Sequence, residues 1–434
     1  MHIEIALVVL IITLIIGVPV PFAFFSAVAY LVYALGYDPG FLLPYGFSKM
    51  STVVLLAIPL FIMAGGLMEK GGIGGKLADV VDILVGRFKG GLGAVSIVSC
   101  AIFGSITGSA AATLSCIGTV MIPRLYAAGY PKGHTAALIS NASVIGLLIP
   151  PSAIMILYGW IGNQSILACF LATVIPGIIL TILLCTVNYF LLRNNTNIKV
   201  SEKLDLSTTA KVFGIRTLKA TPALAMPFIV LGGIYAGIMT PTEAAAVAVF
   251  YSVPIGFLVY KGLNRDNFLK VLIETATTTG VIMVMLYAVM LLSRIYIMEN
   301  VPQTIMAYLA AISENKYVIL MMLNVFMIII GMLMDDVSAV LLTTPVLLPV
   351  AIIIGVNPIH FAAILGVNLG MGNITPPTAP LLFLGSRVGG ASLNKMLGPS
   401  FYMIIFAWLP TLLITTYVPQ VAMFLPKLIL GIQY

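Results

Sequence analysis

Residues 141–152 read NASVIGLLIPPS and residues 368–378 read NLGMGNITPPT, so that a proline pair at 150 and 151 returns 226 positions later at 376 and 377. Each stretch lies in an apolar segment long enough to cross a bilayer. A double proline cannot continue an ordinary helix, because proline lacks the backbone donor and its ring clashes with the preceding turn. The two stretches therefore predict two helices that break in mid-membrane.

Each break should leave main-chain oxygen atoms without a helical partner. The amides missing at 150 and 151 would have bonded to the carbonyls of Gly146 and Leu147. In the second copy, the carbonyls of Gly372 and Asn373 lose their donors in the same way. We expect these four oxygens to be free, and free carbonyls are tolerated at membrane depth only where they line a cavity or hold an ion.

Composition indicates a protein with many membrane spans, since 61% of the 434 residues are hydrophobic and 8% are charged. The predicted fold class is all-α and polytopic. The four cysteines show no metal-ligand spacing, and no cofactor is expected. Hydropathy predicts full spans near residues 3–20, 21–36, 51–69, 134–160, 165–192, 220–238, 241–260, 270–297, 359–384 and 399–420.

Two further apolar regions, residues 90–125 and 317–354, are interrupted by polar residues. The first contains the run GSITGS at 104–109, and the second contains Gly331 and the pair Asp335-Asp336. We interpret both regions as re-entrant helical hairpins whose polar tips lie near the middle of the membrane. Two ordinary spans joined by a polar turn are the alternative.

Basic residues predict the topology, because Lys and Arg accumulate in cytoplasmic loops. With the N-terminus outside, the segments 70–89, 124–132, 193–219, 261–270 and 387–395 are cytoplasmic and hold 17 of the 21 basic residues. The net charge of +7 is thereby explained by orientation, and it does not call for nucleic acid. The first half then crosses five times, so the second half is predicted to be inverted relative to the first.

The motifs GSITGSAAATLSCIGTVMIP (104–123), GHTAALISNASVIGLLIPPS (133–152), GMLMDDVSAVLLTTP (331–345) and ILGVNLGMGNITPPTAP (364–380) resemble the large membrane subunit of tripartite ATP-independent periplasmic (TRAP) transporters. The resemblance covers nearly the whole chain. It implies a sodium-coupled secondary importer of organic acids in the bacterial inner membrane. It also implies a periplasmic binding protein and a small membrane subunit, which we expect as a separate chain because no such subunit precedes Met1.

The resemblance further implies a scaffold and a transport unit that slides against it in an elevator motion. The first half of the transport unit is predicted at 90–160 and the second at 317–386. The remaining parts are listed in chain order: scaffold spans and an amphipathic arm at 1–89, scaffold spans with the connector 193–219 and a second arm at 161–316, and a C-terminal span at 387–434.

By resemblance, two sodium ions bind at the hairpins and the broken helices. The first would use Ser105, Gly146, Ile149 and Pro150, and the second Gly331, Gly372, Thr375 and Thr378. Oxygen ligands suit a hard cation, and the C-terminal ends of half-helices present partial negative charge. The alternative for the glycines and threonines is close helix packing.

A polar, acidic substrate needs hydrogen-bonding groups and a positive partner or helix N-terminal amides. Asp336 is expected to bind substrate or to assist sodium, because a carboxylate in the membrane is costly unless it serves a cavity, a cation or a proton. The alternative is that both Asp335 and Asp336 lie at an aqueous rim. The other predicted substrate residues are Ser105, Thr107, Ser109, Asn373 and Arg294, of which Arg294 could instead pair with Glu299 or contact the small subunit.

Rival functions are weaker on motif grounds. The sequence has no GxSxG or HExxH motif and no second catalytic aspartate, which argues against an intramembrane enzyme. It also has no Walker A pattern, which argues against a primary pump. A related carrier that works without a binding protein stays open. For the substrate we predict N-acetylneuraminate, a sialic acid, with C4-dicarboxylates and sugar acids as alternatives.

Overall fold

The computed structural model describes residues 2–85, 90–198 and 206–432, and every regular element in these ranges is a helix. Eight of the described helices are long and apolar enough to cross a membrane, or up to nine if the bent pair Lys132–Leu148 and Ala153–Ile161 is one span. The predicted all-α polytopic class is confirmed.

Five helices precede the first hairpin region: α1 His2–Ile15, α2 Val20–Leu35, α3 Pro39–Met50, α4 Ala57–Lys70 and α5 Ile73–Val85. Helix α3 was not predicted, although its start is signalled locally. Asp38 accepts a hydrogen bond from the amide of Gly40, and Pro39 occupies the first turn, where its missing amide costs nothing.

Six helices follow to the end of the first half: α6 Gly91–Thr107, α7 Ala110–Ala127, α8 Lys132–Ser143, α9 Ile145–Leu148, α10 Ala153–Ile161 and α11 Ile166–Leu192. Helices α6 and α7 form the first predicted helical pair. They join at Gly108, whose φ of +60° suits glycine, and at Ser109, whose hydroxyl accepts from the amide of Ala112.

The described α-helices of the second half are α12 Leu206–Tyr235, α13 Pro241–Pro254, α14 Arg265–Met298, α15 Val301–Ile312, α16 Lys316–Leu333, α17 Asp336–Ile353, α18 Pro358–Gly372, α19 Pro380–Gly389, α20 Leu393–Met403, α21 Leu409–Tyr417 and α22 Pro419–Leu430. Helices α13 and α20 continue as π-helical turns, Ile255–Val259 and Ile404–Trp408. Much of the predicted connector 193–219 is therefore helical, since α12 begins at Leu206. Its residues 199–205 lie outside the described ranges.

One order of elements occurs twice among these helices. Two helices, a helical pair and a broken helix follow one another from α4 to α10 and again from α14 to α19. This order matches the sequence repeat. The inversion of one whole half relative to the other stays a prediction.

The two broken helices pack against each other in antiparallel directions. A Cβ atom built on Gly370 would lie 2.8 Å from Cγ1 of Val144, and one on Gly366 would lie 3.3 Å from Cδ2 of Leu148. The partner number falls as the residue number rises, so the chain directions are opposite. The breaks therefore lie at different heights along the pair.

Helix packing also brings α11 and the C-terminal helices to the hairpins and broken helices. Helix α11 packs on α6, α9 and α18, while α20 packs on α8 and α21 packs on α18. The predicted domain bounds had separated residues 161–192 and 387–434 from this group. Those bounds stay a prediction, but the packing supports one larger helical unit.

Candidate functional site

The two breaks differ in their surroundings. In the first, Ile149 and Ser152 are extended, and the intervening Pro150–Pro151 bond is cis. Both prolines and Ser152 are buried there. The second break also has a cis bond, Pro376–Pro377, but its prolines are exposed.

The expectation of four free carbonyls is only half right. The carbonyl of Gly372 accepts from the amide of Thr375 at 2.9 Å, and the carbonyl of Asn373 accepts from the amide of Leu381 at 3.2 Å. The chain folds back after the second break, so later amides replace the donors that the prolines lack. In the described first half, no hydrogen bond outside the helices ends on the carbonyl of Gly146 or Leu147.

Each helical pair touches its own broken helix through two glycines. A Cβ atom on Gly104 would lie 2.3 Å from the Cα of Gly146, and one on Gly372 would lie 2.6 Å from the Cα of Gly331. Such contacts leave no space for a side chain. Close packing, the alternative for these glycines, is therefore present, and sodium ligation by their carbonyls stays a prediction.

A cavity of about 500 Å³ lies where both hairpin turns meet the first break. Helices α4 and α14 supply its other walls. The turn of the first hairpin touches the break directly, because a Cβ atom on Gly108 would lie 2.5 Å from the carbonyl oxygen of Pro151. The polar side chains that line the cavity are those of Glu69, Lys70, Thr107, Ser109, Ser115, Glu274, Thr275, Thr278 and Asp336.

Three helices begin at this cavity. The first residues of α7, α10 and α17 are among its lining, including Ala112, Ile154 and Val337. The first amides of a helix have no intrahelical acceptor and carry partial positive charge. Helix α10 has no side-chain cap, and the hydroxyl of Ser152 before it is buried without a hydrogen-bond partner. The geometry thus offers donors to an anion.

Among the described residues that line the cavity, Lys70 is the only basic one. Its Nζ lies 3.2 Å from Oε1 of Glu69, and both side chains are partly exposed. Lys70 is not among the predicted site residues, because it stands at the edge of a basic segment that the topology already explains. The repeated dipeptide before it, Met68-Glu69 with Met298-Glu299, was the available signal.

Thr107, Ser109 and Asp336 are brought together at this cavity, as the sequence motifs suggested. The neighbouring Asp335 has a different position. Its carboxylate accepts from the amide of Val337 at 3.1 Å and from the hydroxyl of Ser338, so it caps α17. The two acidic residues therefore separate into a helix cap and a cavity-lining group.

Ser105 and Asn373 do not line the cavity. The hydroxyl of Ser105 donates to the carbonyl of Ile102 at 2.7 Å. Asn373 is 1% exposed, and neither its side-chain nitrogen nor its oxygen has a hydrogen-bond partner. A buried amide with both ends unpaired is costly, which makes Asn373 available to a ligand at the second break.

Arg294 lies outside the cavity as well. Its guanidinium stacks over the ring of Tyr45, 5.1 Å from the centroid. Glu299 is bonded instead by the hydroxyl of Tyr37, and this hydrogen bond raises the pKa of Tyr37. Arg294 therefore packs between α14 and α3, and it does not face the candidate substrate site.

The remaining predicted sodium residues belong to the two breaks. The hydroxyl of Thr375 donates to the carbonyl of Met371 at 2.6 Å, which leaves its lone pairs available. Thr378 is exposed. Ile149 donates its amide to the carbonyl of Ile145 at 3.0 Å, next to the unpaired carbonyls of the first break.

Several known proteins are similar to this chain over most of its length. The chain is 35% identical over 413 residues to the isethionate TRAP transporter permease protein DctMQ of Oleidesulfovibrio alaskensis, covering 95% of this chain but only 64% of that protein. It is 33% identical to the C4-dicarboxylate TRAP transporter large permease protein DctM of Pseudomonas aeruginosa, covering 88% of each chain. It is 32% identical to the sialic acid TRAP transporter large permease protein SiaM of Vibrio cholerae, covering 96% of each.

The fold is also similar to a solved structure, that of the Alcanivorax borkumensis YdaH transporter, which is described as having an unusual topology. The TM-score is 0.60 at 15% identity, and the match covers 88% of this chain and 90% of that one. The family described as "Tripartite ATP-independent periplasmic transporter, DctM component" matches residues 7–421. The chain therefore belongs to the DctM family of TRAP transporter large permeases and is a multi-pass membrane protein.

Proposed function

We propose that the chain is the large permease of a sodium-coupled importer of an organic acid, with N-acetylneuraminate as the first substrate to test. The observation that supports this most strongly is the cavity at which both hairpin turns, the first break and Lys70 meet. Its volume of about 500 Å³ lies within the usual range for small-molecule sites.

The acid group of the substrate binds beside Lys70 and the first turns of α7 and α10. Lys70 provides a full charge, and the first turns of α7 and α10 provide amides. In the absence of substrate, Glu69 forms an ion pair with Lys70. The acid group of a bound substrate then competes with Glu69 for the ammonium group. The carboxylate of Asp336 would repel the acid group of the substrate. It therefore accepts hydrogen bonds from the hydroxyl or amide groups of the substrate instead.

The hydroxyl-rich lining favours a hydroxylated acid over a bare dicarboxylate. Thr107, Ser109, Ser115, Thr275 and Thr278 all line the cavity. The relatives are named for isethionate, C4-dicarboxylate and sialic acid, and an acidic group is the feature these share. C4-dicarboxylates and sugar acids are therefore the alternatives to N-acetylneuraminate.

Sodium couples to transport at the two breaks. The unpaired carbonyls of Gly146 and Leu147 are suitable ligands, since hard cations prefer oxygen. At the second break, the amide oxygen of Asn373 and the hydroxyl of Thr375 are the best candidates. The carbonyl of Gly372 keeps a second lone pair although it accepts one bond.

The transport unit in this proposal comprises α6 to α11 together with α16 to α22, and it moves against α1 to α4 and α12 to α14 in an elevator motion. The cavity lies on the boundary, with Lys70 and Glu274 on the scaffold side. Both residues lie in or beside segments predicted to be cytoplasmic, so the cavity opens inward in this conformation. A small membrane subunit and a periplasmic binding protein complete the transporter.

The test is uptake by proteoliposomes that contain the chain with its small subunit. We expect accumulation of labelled N-acetylneuraminate only with an inward sodium gradient and with the binding protein outside. Succinate and isethionate serve as competing substrates. Uptake without the binding protein would support the simpler carrier, and uptake that ignores sodium would overturn the coupling.

A further inference from the structure

A second cleft, of about 590 Å³, lies away from the transport cavity. It is bounded by the start of α8, the end of α11 and helix α20. Three segments predicted to be cytoplasmic meet here, because Lys132, Asn195 and Lys395 all line the cleft. The start of α8 is in close contact with α20, since a Cβ atom on Gly133 would lie 2.2 Å from the carbonyl oxygen of Lys395.

The charge of this cleft is positive. Lys132 and Lys395 line it, and the part of the chain that the structure describes contributes no Asp or Glu to its lining. Both lysines are exposed, and Lys132 extends over the ring of Tyr126, 5.7 Å from the centroid. His134 also lines the cleft, but its Nε2 is 3.0 Å from Oδ1 of Asn188. The two ammonium groups are therefore the groups available to an anion.

The remaining walls are apolar and lead toward the membrane-facing surface. Leu191, Leu192, Pro399 and Tyr402 line the cleft. The ring of Tyr402 stacks on that of Phe406 at 6.4 Å, and the two residues are 49% and 56% exposed. Exposed aromatic residues below a basic rim are typical of the boundary between headgroups and acyl chains.

We propose that this cleft binds an anionic phospholipid. The phosphate lies between Lys132 and Lys395, and an acyl chain follows Tyr402 on α20 and Phe406 on the π-helical turn Ile404–Trp408 that continues it. Basic clefts between membrane helices recognise anionic headgroups in this way. The apolar wall favours a lipid over a free phosphate ion. Since α8, α11 and α20 pack together, the bound lipid is held by one helical unit.

The equivalent position in the second half supplies a matched control. A cleft of about 410 Å³ surrounds His360 and includes Lys316. Here Lys316 donates to the carbonyl of Gly355 at 2.8 Å, so its ammonium group is already engaged. We expect this cleft to show no preference for anionic lipid.

The test measures lipid retained by purified, delipidated protein after addition of phosphatidylglycerol or phosphatidylcholine, read by native mass spectrometry. Wild-type protein should bind one phosphatidylglycerol in preference to phosphatidylcholine. The double variant Lys132→Gln/Lys395→Gln should need roughly thirtyfold more phosphatidylglycerol for half-occupancy, at the usual strength of a basic residue near an anionic headgroup. Lys316→Gln should behave like wild type.

Two further variants separate binding from topology and folding. Lys132→Arg/Lys395→Arg should keep the preference, because it keeps both charges. Adding Asn194→Lys to the double glutamine variant returns one charge to the same predicted cytoplasmic side, at an exposed residue that does not line the cleft, and should not restore binding. Equal binding of the two lipids to wild type, equal loss with Lys316→Gln, or restoration by Asn194→Lys would each overturn the proposal.

Discussion

Lys70 is the residue on which recognition of the acid group depends. Lys70→Gln should raise the KM for the transported acid by about tenfold to a hundredfold, because a hydrogen bond to a charged group contributes about 1.5 to 3 kcal/mol. The measurement is initial uptake against substrate concentration in proteoliposomes. Lys76→Gln is the control, since Lys76 is exposed on α5 and does not line the cavity. An unchanged KM for Lys70→Gln would remove it from the site.

Asp335 and Asp336 should respond differently to substitution. Asp336→Ala is expected to abolish uptake while expression stays normal, because its carboxylate lines the cavity. Asp335→Ala removes the cap of α17 and should lower stability by about 1 kcal/mol, seen as a lower Tm in detergent. Normal uptake by Asp336→Ala would contradict its proposed role.

At the residue scale, the sequence located cavity-lining residues where polar groups interrupt an apolar run, and their roles in binding stay a prediction. Thr107, Ser109 and Asp336 were found this way, since such groups are expensive in a membrane and so indicate a cavity. Lys70 was missed because a lysine at a helix end has an ordinary reason to be there. Arg294 was misleading for the opposite reason, as its stacking on Tyr45 depends on a helix that hydropathy does not reveal.

Each helical pair is joined to its broken helix by backbone contact between glycines. Gly104→Ala should therefore destabilise the protein by about 1 to 3 kcal/mol, the usual cost of overpacking. Thermal unfolding in detergent measures this. Gly280→Ala is the matched control, because Gly280 lies within α14 with no atom within 4 Å of a Cβ built on it. That variant should match or exceed wild type, since alanine favours helix.

At the second break, the hydroxyl of Thr375 allows a test that spares the glycines. Thr375→Val keeps the shape and removes the oxygen. It should raise the sodium concentration required for half-maximal uptake, with little change in Tm. A sodium curve identical to that of wild type would leave Thr375 with only its hydrogen bond to Met371.

At the scale of the elements, the sequence predicted the positions of both breaks but not the hydrogen bonding of their carbonyls. The double prolines located both breaks, because missing donors are a property of sequence alone. Which amides would bond to the carbonyls left by the prolines could not be predicted. Whether Thr375 and Leu381 return to bond Gly372 and Asn373 depends on the path of the chain after the break.

At the scale of the whole molecule, the arm α5 follows the scaffold helix α4 and packs against the hairpin helix α7 of the proposed transport unit. A Cβ atom on Gly74 would lie 2.4 Å from Sγ of Cys116. Gly74→Cys, with the other three native cysteines replaced by alanine, should form a disulfide with Cys116 on oxidation. We expect this to arrest uptake and a reductant to restore it.

The control cross-link lies within the proposed transport unit. A Cβ atom on Gly118 would lie 3.2 Å from Cγ1 of Val388, which joins α7 to α19. Gly118→Cys/Val388→Cys, in a background that lacks the native cysteines, should cross-link without loss of uptake. Arrest by this internal disulfide as well would show that the helices do not move as one body.

The antiparallel contact of the two broken helices has a mechanical consequence. Val144 is pinned to Gly370 and Leu148 to Gly366, so neither helix can slide along the other without losing both contacts at once. A force applied at one end of the pair is transmitted to the opposite end. In the proposed sodium coupling, an ion bound at one break would thus alter the helix packing at the other break, although the two breaks lie at different depths.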